Sequence, residues 1–105
     1  MSLNRLELLT EYYRQDPNDP FNIYALAIEY LKLDISQSKN YFNALLDKHP
    51  DYLPSYYHAA KLFADLNEKE KAIEVYEKGM ALAKAKKEFK VLRELQSAYD
   101  ELMFE

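Results

Sequence analysis

The sequence predicts an all-α chain built as an array of helical hairpins, and three observations predict it. Glycine occurs once and proline four times. All four prolines sit in two short loops, where Pro17 and Pro20 bracket Asn18-Asp19 and Pro50 and Pro54 bracket Asp51-Tyr52-Leu53, so long stretches stay free for helix. Apolar residues recur at helical spacing between these loops. The segments after the loops are alike, Ile23, Leu26, Ala27 and Tyr30 after the first and Tyr56, Ala59, Ala60 and Phe63 after the second. Self-similarity at about 33 to 34 residues, with helical periodicity inside each unit, is the mark of a hairpin repeat.

The first helix is expected over about residues 4–15. Asn4 suits an N-cap, Glu7 three residues on can return the hydrogen bond, and Leu3 with Leu8 has the spacing of a hydrophobic staple. Leu6, Leu9, Tyr12 and Tyr13 form its one apolar stripe, and Asp16-Pro17 ends it. Asp19 caps a second helix with Pro20 at its first position, where the missing N–H costs nothing. Ile23, Leu26, Ala27, Tyr30 and Leu33 make one stripe on it. Phe21, Tyr24, Ala25, Ile28 and Leu31 make another, so this helix is expected between two neighbours.

Asp34-Ile35-Ser36 reads as a turn, followed by a third helix to about residue 49 that buries Tyr41, Phe42, Leu45 and Leu46. His49 stands at its negative end. The fourth helix, about 53–66, repeats the second with Tyr56, Ala59, Ala60, Phe63 and Leu66 as its stripe. Asn67-Glu68-Lys69-Glu70 reads as a capping box with Asn67 in the capping place, opening a fifth helix that packs Ala72, Ile73, Tyr76, Met80 and Ala83. The pattern shifts phase near Ala85-Lys87. A sixth helix then carries Phe89, Leu92, Leu95, Tyr99 and Leu102 against a wet side of Lys90, Arg93, Glu94, Asp100 and Glu101. Gly79 inside the fifth helix costs about 1 kcal/mol relative to Ala, so a packing reason is expected for it.

At 105 residues, 49% hydrophobic and 30% charged, the chain is expected to fold as one domain. It contains no cysteine, so neither disulfides nor thiolate ligands can hold it together. Arg5 and Glu7 interrupt the N-terminal segment where a signal peptide would be apolar, and no stretch approaches the roughly 20 apolar residues of a membrane span. The expected location is therefore the cytoplasm. A net charge of −4 argues against nucleic acid or an anionic membrane as partner.

One glycine cannot build a phosphate-cradling loop. His49 and His58 lie on different helices, in no metal-ligand spacing, so no metal or other cofactor is expected. Ser55 and His58 share a helix face, but nothing marks an orienting acid or an oxyanion hole, and no enzymatic activity is expected. The cations Lys84, Lys86, Lys87, Lys90 and Arg93 are interrupted by Glu88 and Glu94, as at a solvated helix junction.

Taken together, residues 53–86 resemble the tetratricopeptide repeat family, whose unit runs Trp-x2-Leu-Gly-x2-Tyr on a first helix and then spaced Ala, aromatic and Ala on a second, closing with Pro. Tyr56 stands for the Trp, Ala59-Ala60 for Leu-Gly and Phe63 for the Tyr; Ala72, Tyr76 and Gly79 follow, with Lys84 in place of the Pro. In the preceding unit Ile23, Leu26-Ala27, Tyr30, Ser38, Phe42, Leu45 and a true Pro50 match, one residue short in the turn. The resemblance implies a right-handed array of about six helices. Residues 1–16 would be a capping helix, 19–50 and 53–86 two repeats, and 87–105 a second capping helix. Another right-handed helical solenoid and a closed six-helix bundle remain as alternatives.

The resemblance also implies a task, because in such arrays the inner side of the first helices lines a concave groove. Phe21, Tyr24, Ile28 and Leu31 would give that groove an apolar end and Tyr57, His58 and Lys61 a mildly basic one, suited to an amphipathic helix or extended peptide with aliphatic anchors and an acidic residue. Ordinary interhelix packing is the competing use of Tyr24, Tyr57, His58 and Lys61. Certain family members grip a partner's terminal carboxylate with Lys or Arg and Asn; the matching positions here hold Tyr24-Ala25 and Tyr57-His58, which speaks against that clamp. The expected function is a protein–protein interaction adaptor. The rival is a self-associating structural subunit, a weak homodimer through the second side of the first helix or through Leu102-Met103-Phe104.

Overall fold

The computed structural model describes residues 4–105, and among them are six α-helices and no strand. They are α1 (Arg5–Gln15), α2 (Pro20–Tyr30), α3 (Ile35–Lys48), α4 (Pro54–Asp65), α5 (Lys69–Ala85) and α6 (Phe89–Met103). The chain divides into two compact units, one ending at Tyr52 and one spanning Leu53–Glu105. No helix among the described residues is long and apolar enough to cross a membrane.

In the first unit, α2 packs between α1 and α3, as its two apolar sides require. Asn4 caps α1: its Oδ1 accepts from the Glu7 amide at 2.8 Å, and Glu7 returns the favour by accepting from Asn4 Nδ2 rather than from the backbone. The expected staple through Leu3 lies outside the described residues. Asp19 caps α2 by accepting from the Phe21 amide at 2.9 Å, with Pro20 in the first turn. Ile23, Leu26 and Ala27 of α2 meet Phe42, Leu45 and Ser38 of α3 in a buried core. The Leu31 amide bonds to Ile28, leaving the Ala27 carbonyl to the buried Ser38 hydroxyl, which donates to it at 2.6 Å. A small residue at position 38 thus brings α3 close to α2 and satisfies its final turn.

Several expectations fail in this unit: Tyr12 of the α1 stripe is 47% exposed, Tyr41 and Leu46 are half-buried rather than buried, and two boundaries shift. α2 stops at Tyr30, so Leu33 sits in the turn, 57% exposed, instead of extending the α2 stripe. Ile35 and Ser36 are not turn residues: Asp34 alone caps α3, its side chain accepting from the Gln37 amide, and the helix starts at Ile35. An aromatic cluster ties the three helices together. Tyr41 of α3 stacks on Tyr30 of α2 at 5.7 Å and meets Tyr13 of α1 edge-on at 5.9 Å. Glu29 is buried, and two cations partner it, Arg5 of α1 at 3.0 Å and Lys32 at 3.5 Å.

The second unit centres on α4, α5 and α6. Tyr56, Ala59, Ala60 and Phe63 are buried as expected, joined by Ser55 and Leu62, whereas Leu66 is exposed at the helix end. Ala72, Tyr76, Gly79 and Ala83 of α5 are buried with Val75, and Ile73 and Met80 are half-buried. A Cβ built on Gly79 would lie 2.7 Å from Tyr56 Cβ and 3.2 Å from Leu95 Cδ1, so α4 and α6 both press on this point of α5. Leu95 and Leu102 anchor α6, while Phe89, expected in its stripe, is 53% exposed at the helix start.

Asn67 does not open α5. It adopts a left-handed conformation, φ 63°, and ends α4: its amide donates to Ala64 and the Glu68 amide to Phe63, the paired bonds of a Schellman motif. Glu68 is the N-cap of α5, without a side-chain capping bond. The phase shift near residue 87 has the same cause. Lys87, φ 59°, donates to Lys84 and Glu88 donates to Ala83, ending α5 in the same way.

Candidate functional site

Each unit presents part of the sequence-derived binding surface. In the first, Phe21 lies in the opening turn of α2, 57% exposed, with Tyr24 and Ile28 half-buried further along the helix. Tyr24 meets Tyr52 edge-on at 5.8 Å, so a loop residue fixes its ring. Burial, and then the neighbouring Tyr52, push the Tyr24 hydroxyl above its ordinary range, and it remains a neutral donor and acceptor.

In the second unit, Tyr57 and His58 are half-buried on α4, their rings 5.4 Å apart and nearly perpendicular, with Lys61 exposed one turn on. Burial first, and the Lys61 ammonium second, push the His58 imidazole below its ordinary 6.5. At neutral pH the His58 imidazole is therefore neutral beside Lys61.

Tyr57 also lines a cleft of about 420 Å³ between α4 and α6, whose other wall is Lys90, Arg93, Glu94, Ser97, Ala98 and Glu101. A narrower continuation places Lys61 with Asp65, Tyr76 and Glu101. The Tyr76 hydroxyl at that end is pushed up to about 12, by burial foremost and then by Tyr57, Asp65 and Glu101. Tyr57 and Lys61 thus share one concave surface, and α6 supplies its second wall. The polar side of α6 looked merely solvated in the sequence. Its residues 90, 94, 97 and 101 recur at helical spacing on a helix that packs beside α4, which is the signal for a lining face. Tyr52 carried no comparable signal, because it stands in a loop.

Among the described residues no group of three or more His, Asp or Glu side chains is placed to hold a metal ion. Ser55, three residues before His58, is fully buried.

No protein-family model and no curated protein matches the sequence. Among solved structures, the chain is similar to a tetratricopeptide repeat domain protein from Salinibacter ruber. Against its solution structure the identity is 41%, covering 83% of this chain and 89% of that one, with a TM-score of 0.78. Against a crystal structure of a tetratricopeptide repeat domain protein from the same organism the values are 38%, 81% and 97%, with a TM-score of 0.77. The first TPR of Spaghetti (RPAP3) bound to the HSP90 peptide SRMEEVD is alike in fold: 21% identity, covering 89% of this chain and 75% of that one, with a TM-score of 0.69.

Proposed function

This chain belongs to the tetratricopeptide repeat family, and we propose that it works as an interaction adaptor that holds a peptide or helix of another protein. Phe21, Tyr24 and Ile28 of α2 and Tyr57, His58 and Lys61 of α4 make the contacts. The observation that carries this is the pairing of Tyr57 and Lys61 along one cleft: a rigid aromatic anchor with a polar tip beside an exposed cation. A partner segment with an aliphatic or aromatic anchor and a nearby carboxylate complements both. Preorganised helices lose little conformational freedom on binding, so a few such anchors suffice.

The peptide-bound relative supports a protein partner in general terms. Its mode of capture is not carried over, because Tyr24-Ala25 and Tyr57-His58 lack the cation and the Asn of a terminal-carboxylate clamp. The adaptor performs no reaction, acts in the cytoplasm and works as one domain, with repeats at 19–50 and 53–86 between the capping segments 1–16 and 87–105. Neither nucleic acid nor membrane is its partner.

The test is capture of partners from native cells by the wild type and by the double variant Tyr57→Ala, Lys61→Ala. Removing an anchor at the centre of an interface costs about 2 kcal/mol, roughly thirtyfold in affinity. Capture should fall by that order while far-UV circular dichroism and melting stay near wild type. Undiminished capture by the folded double variant overturns the assignment.

A further inference from the structure

Two surfaces apart from the Tyr57–Lys61 pair are each half of a joint, and the second shares Arg93 with the cleft. On α1, Leu9 is the fully buried residue, while Leu8 and Tyr12, one turn apart, remain 38% and 47% exposed. On the second unit, a groove of about 520 Å³ between α5 and α6 is floored by Met80, Ala81 and Leu92 and rimmed by Lys84, Arg93 and Gln96. The charges of the two surfaces are opposite. Residues 84–93 carry Lys84, Lys86, Lys87, Lys90 and Arg93 against Glu88 alone. None of these five cations forms an ion pair among the described residues. The segment 4–19 carries Glu7, Glu11, Asp16 and Asp19 against two cations; Arg5 is engaged with Glu29 of α2, and Arg14 pairs with Glu11 of the same segment.

We propose that α1 of one copy of this chain docks in the α5–α6 groove of a second copy. An amphipathic helix lying in an apolar groove buries Leu8 and Tyr12 against Met80 and Leu92 and turns the acidic flank of α1 toward Lys84 and Arg93. The cations of this junction, which form no ion pair among the described residues, thereby gain acidic partners. The joint is heterologous, a helix of one copy against a groove of another, so association either continues from copy to copy or closes on itself. Tyr57 and Lys61 take no part in the joint, and a chain engaged through it keeps that pair for a peptide.

Sedimentation equilibrium tests this with three proteins. The wild type should show an average mass above the 12.5 kDa of one chain that rises with concentration. The variant Leu8→Glu, Tyr12→Glu keeps the groove and loses the helix face; Ala81→Glu keeps the face and blocks the groove at an exposed position. Each alone should stay at the mass of one chain with wild-type circular dichroism, and their equimolar mixture should form a complex of one of each and nothing larger. A wild type fixed at one-chain mass up to about 1 mM overturns the proposal. So does association of either folded variant at wild-type strength, or a mixture whose members ignore one another.

Discussion

Gly79→Ala separates two principles that point in opposite directions. In an isolated helix the substitution is favourable by about 1 kcal/mol, since alanine restricts the unfolded backbone and glycine does not. In this fold the new Cβ would lie 2.7 Å from Tyr56 Cβ, 3.1 Å from Tyr56 Cγ and 3.2 Å from Leu95 Cδ1. Carbon atoms prefer roughly 3.5 to 4.0 Å, so the first contact is short by about 1 Å. The obstructing atom is itself a Cβ, fixed to the α4 backbone, and no rotamer of Tyr56 moves it. Relief requires α4 and α5 to part, which opens space around Ala60 and Ala72, both fully buried. Overpacking of this kind costs about 1 to 3 kcal/mol. Net destabilisation of about 1 kcal/mol should remain after the helix gain, or roughly 4 to 8 °C in Tm for a domain of this size.

Urea unfolding followed by far-UV circular dichroism measures it. Lys78→Gly compared with Lys78→Ala, one residue away on the exposed side of α5, reports the intrinsic helix term in place. In a Leu95→Ala background, itself destabilised by the cavity it leaves, the added cost of Gly79→Ala should shrink only in part, because the Tyr56 Cβ remains. A Gly79→Ala protein as stable as the wild type, or more so, would refute the claim that close approach of α4 and α5 selects glycine.

Two further predictions concern backbone strain and pH. Lys87 holds φ 59° as a non-glycine residue; relieving about 1 to 2 kcal/mol of left-handed strain, less the entropy of a new glycine, should make Lys87→Gly more stable by about 0.5 to 1 kcal/mol. Asn67→Gly should gain less in the same urea titration, because Asn tolerates this region, and a larger gain at Asn67 contradicts the explanation. His58 is held below 6.5, so the unfolded chain takes up its proton first, and the stability present above that pH is lost as the pH falls through about 6.5 toward the lower folded value. His58→Gln should flatten that segment of the stability profile between about pH 7 and pH 5; an unchanged slope would assign it to other groups.

The parts of the fold legible in the sequence are those where a residue has one structural use. Pro20 and Pro54 fit a helix only in its first turn, so the starts of α2 and α4 were readable to within a residue. Gly79 in an otherwise strong helix had no local benefit and announced a close contact. Asn67 has two uses, capping the next helix or ending the last one in a left-handed turn, and local spacing favoured the wrong one. Lys87 gives no local sign of its conformation, which is imposed by the turn between α5 and α6. Glu29 was invisible as a buried charge because its partner, Arg5, lies 24 residues away. The proposed contact residues of α2 and α4 were singled out in the sequence because their aromatic residues fall off the main stripe. Its α6 wall was not, because a polar lining face and a solvated face have the same composition.

The tyrosines show why an aromatic surplus in such a chain divides between structure and recognition. Where three helices meet, a flat ring fills a gap too wide for Ala and Ser, and Tyr41 stacks on Tyr30 while meeting Tyr13 at the edge. Tyr76 and Tyr99 do the same on α5 and α6, at 6.5 Å, and the Tyr99 hydroxyl reaches out to donate to Glu77 at 2.9 Å. Such rings are consumed by the fold, and their hydroxyls serve to bring the polar end to water or a carboxylate. Tyr57 differs: its ring meets His58 on its own helix instead of a tyrosine of a neighbouring one, and it lines the cleft between α4 and α6. Replacing a consumed ring should cost stability, and replacing Tyr57 should not. That contrast, read as melting against capture across single Tyr→Ala variants at 41, 57 and 76, locates the boundary between the rings that hold the array together and those it offers to a partner.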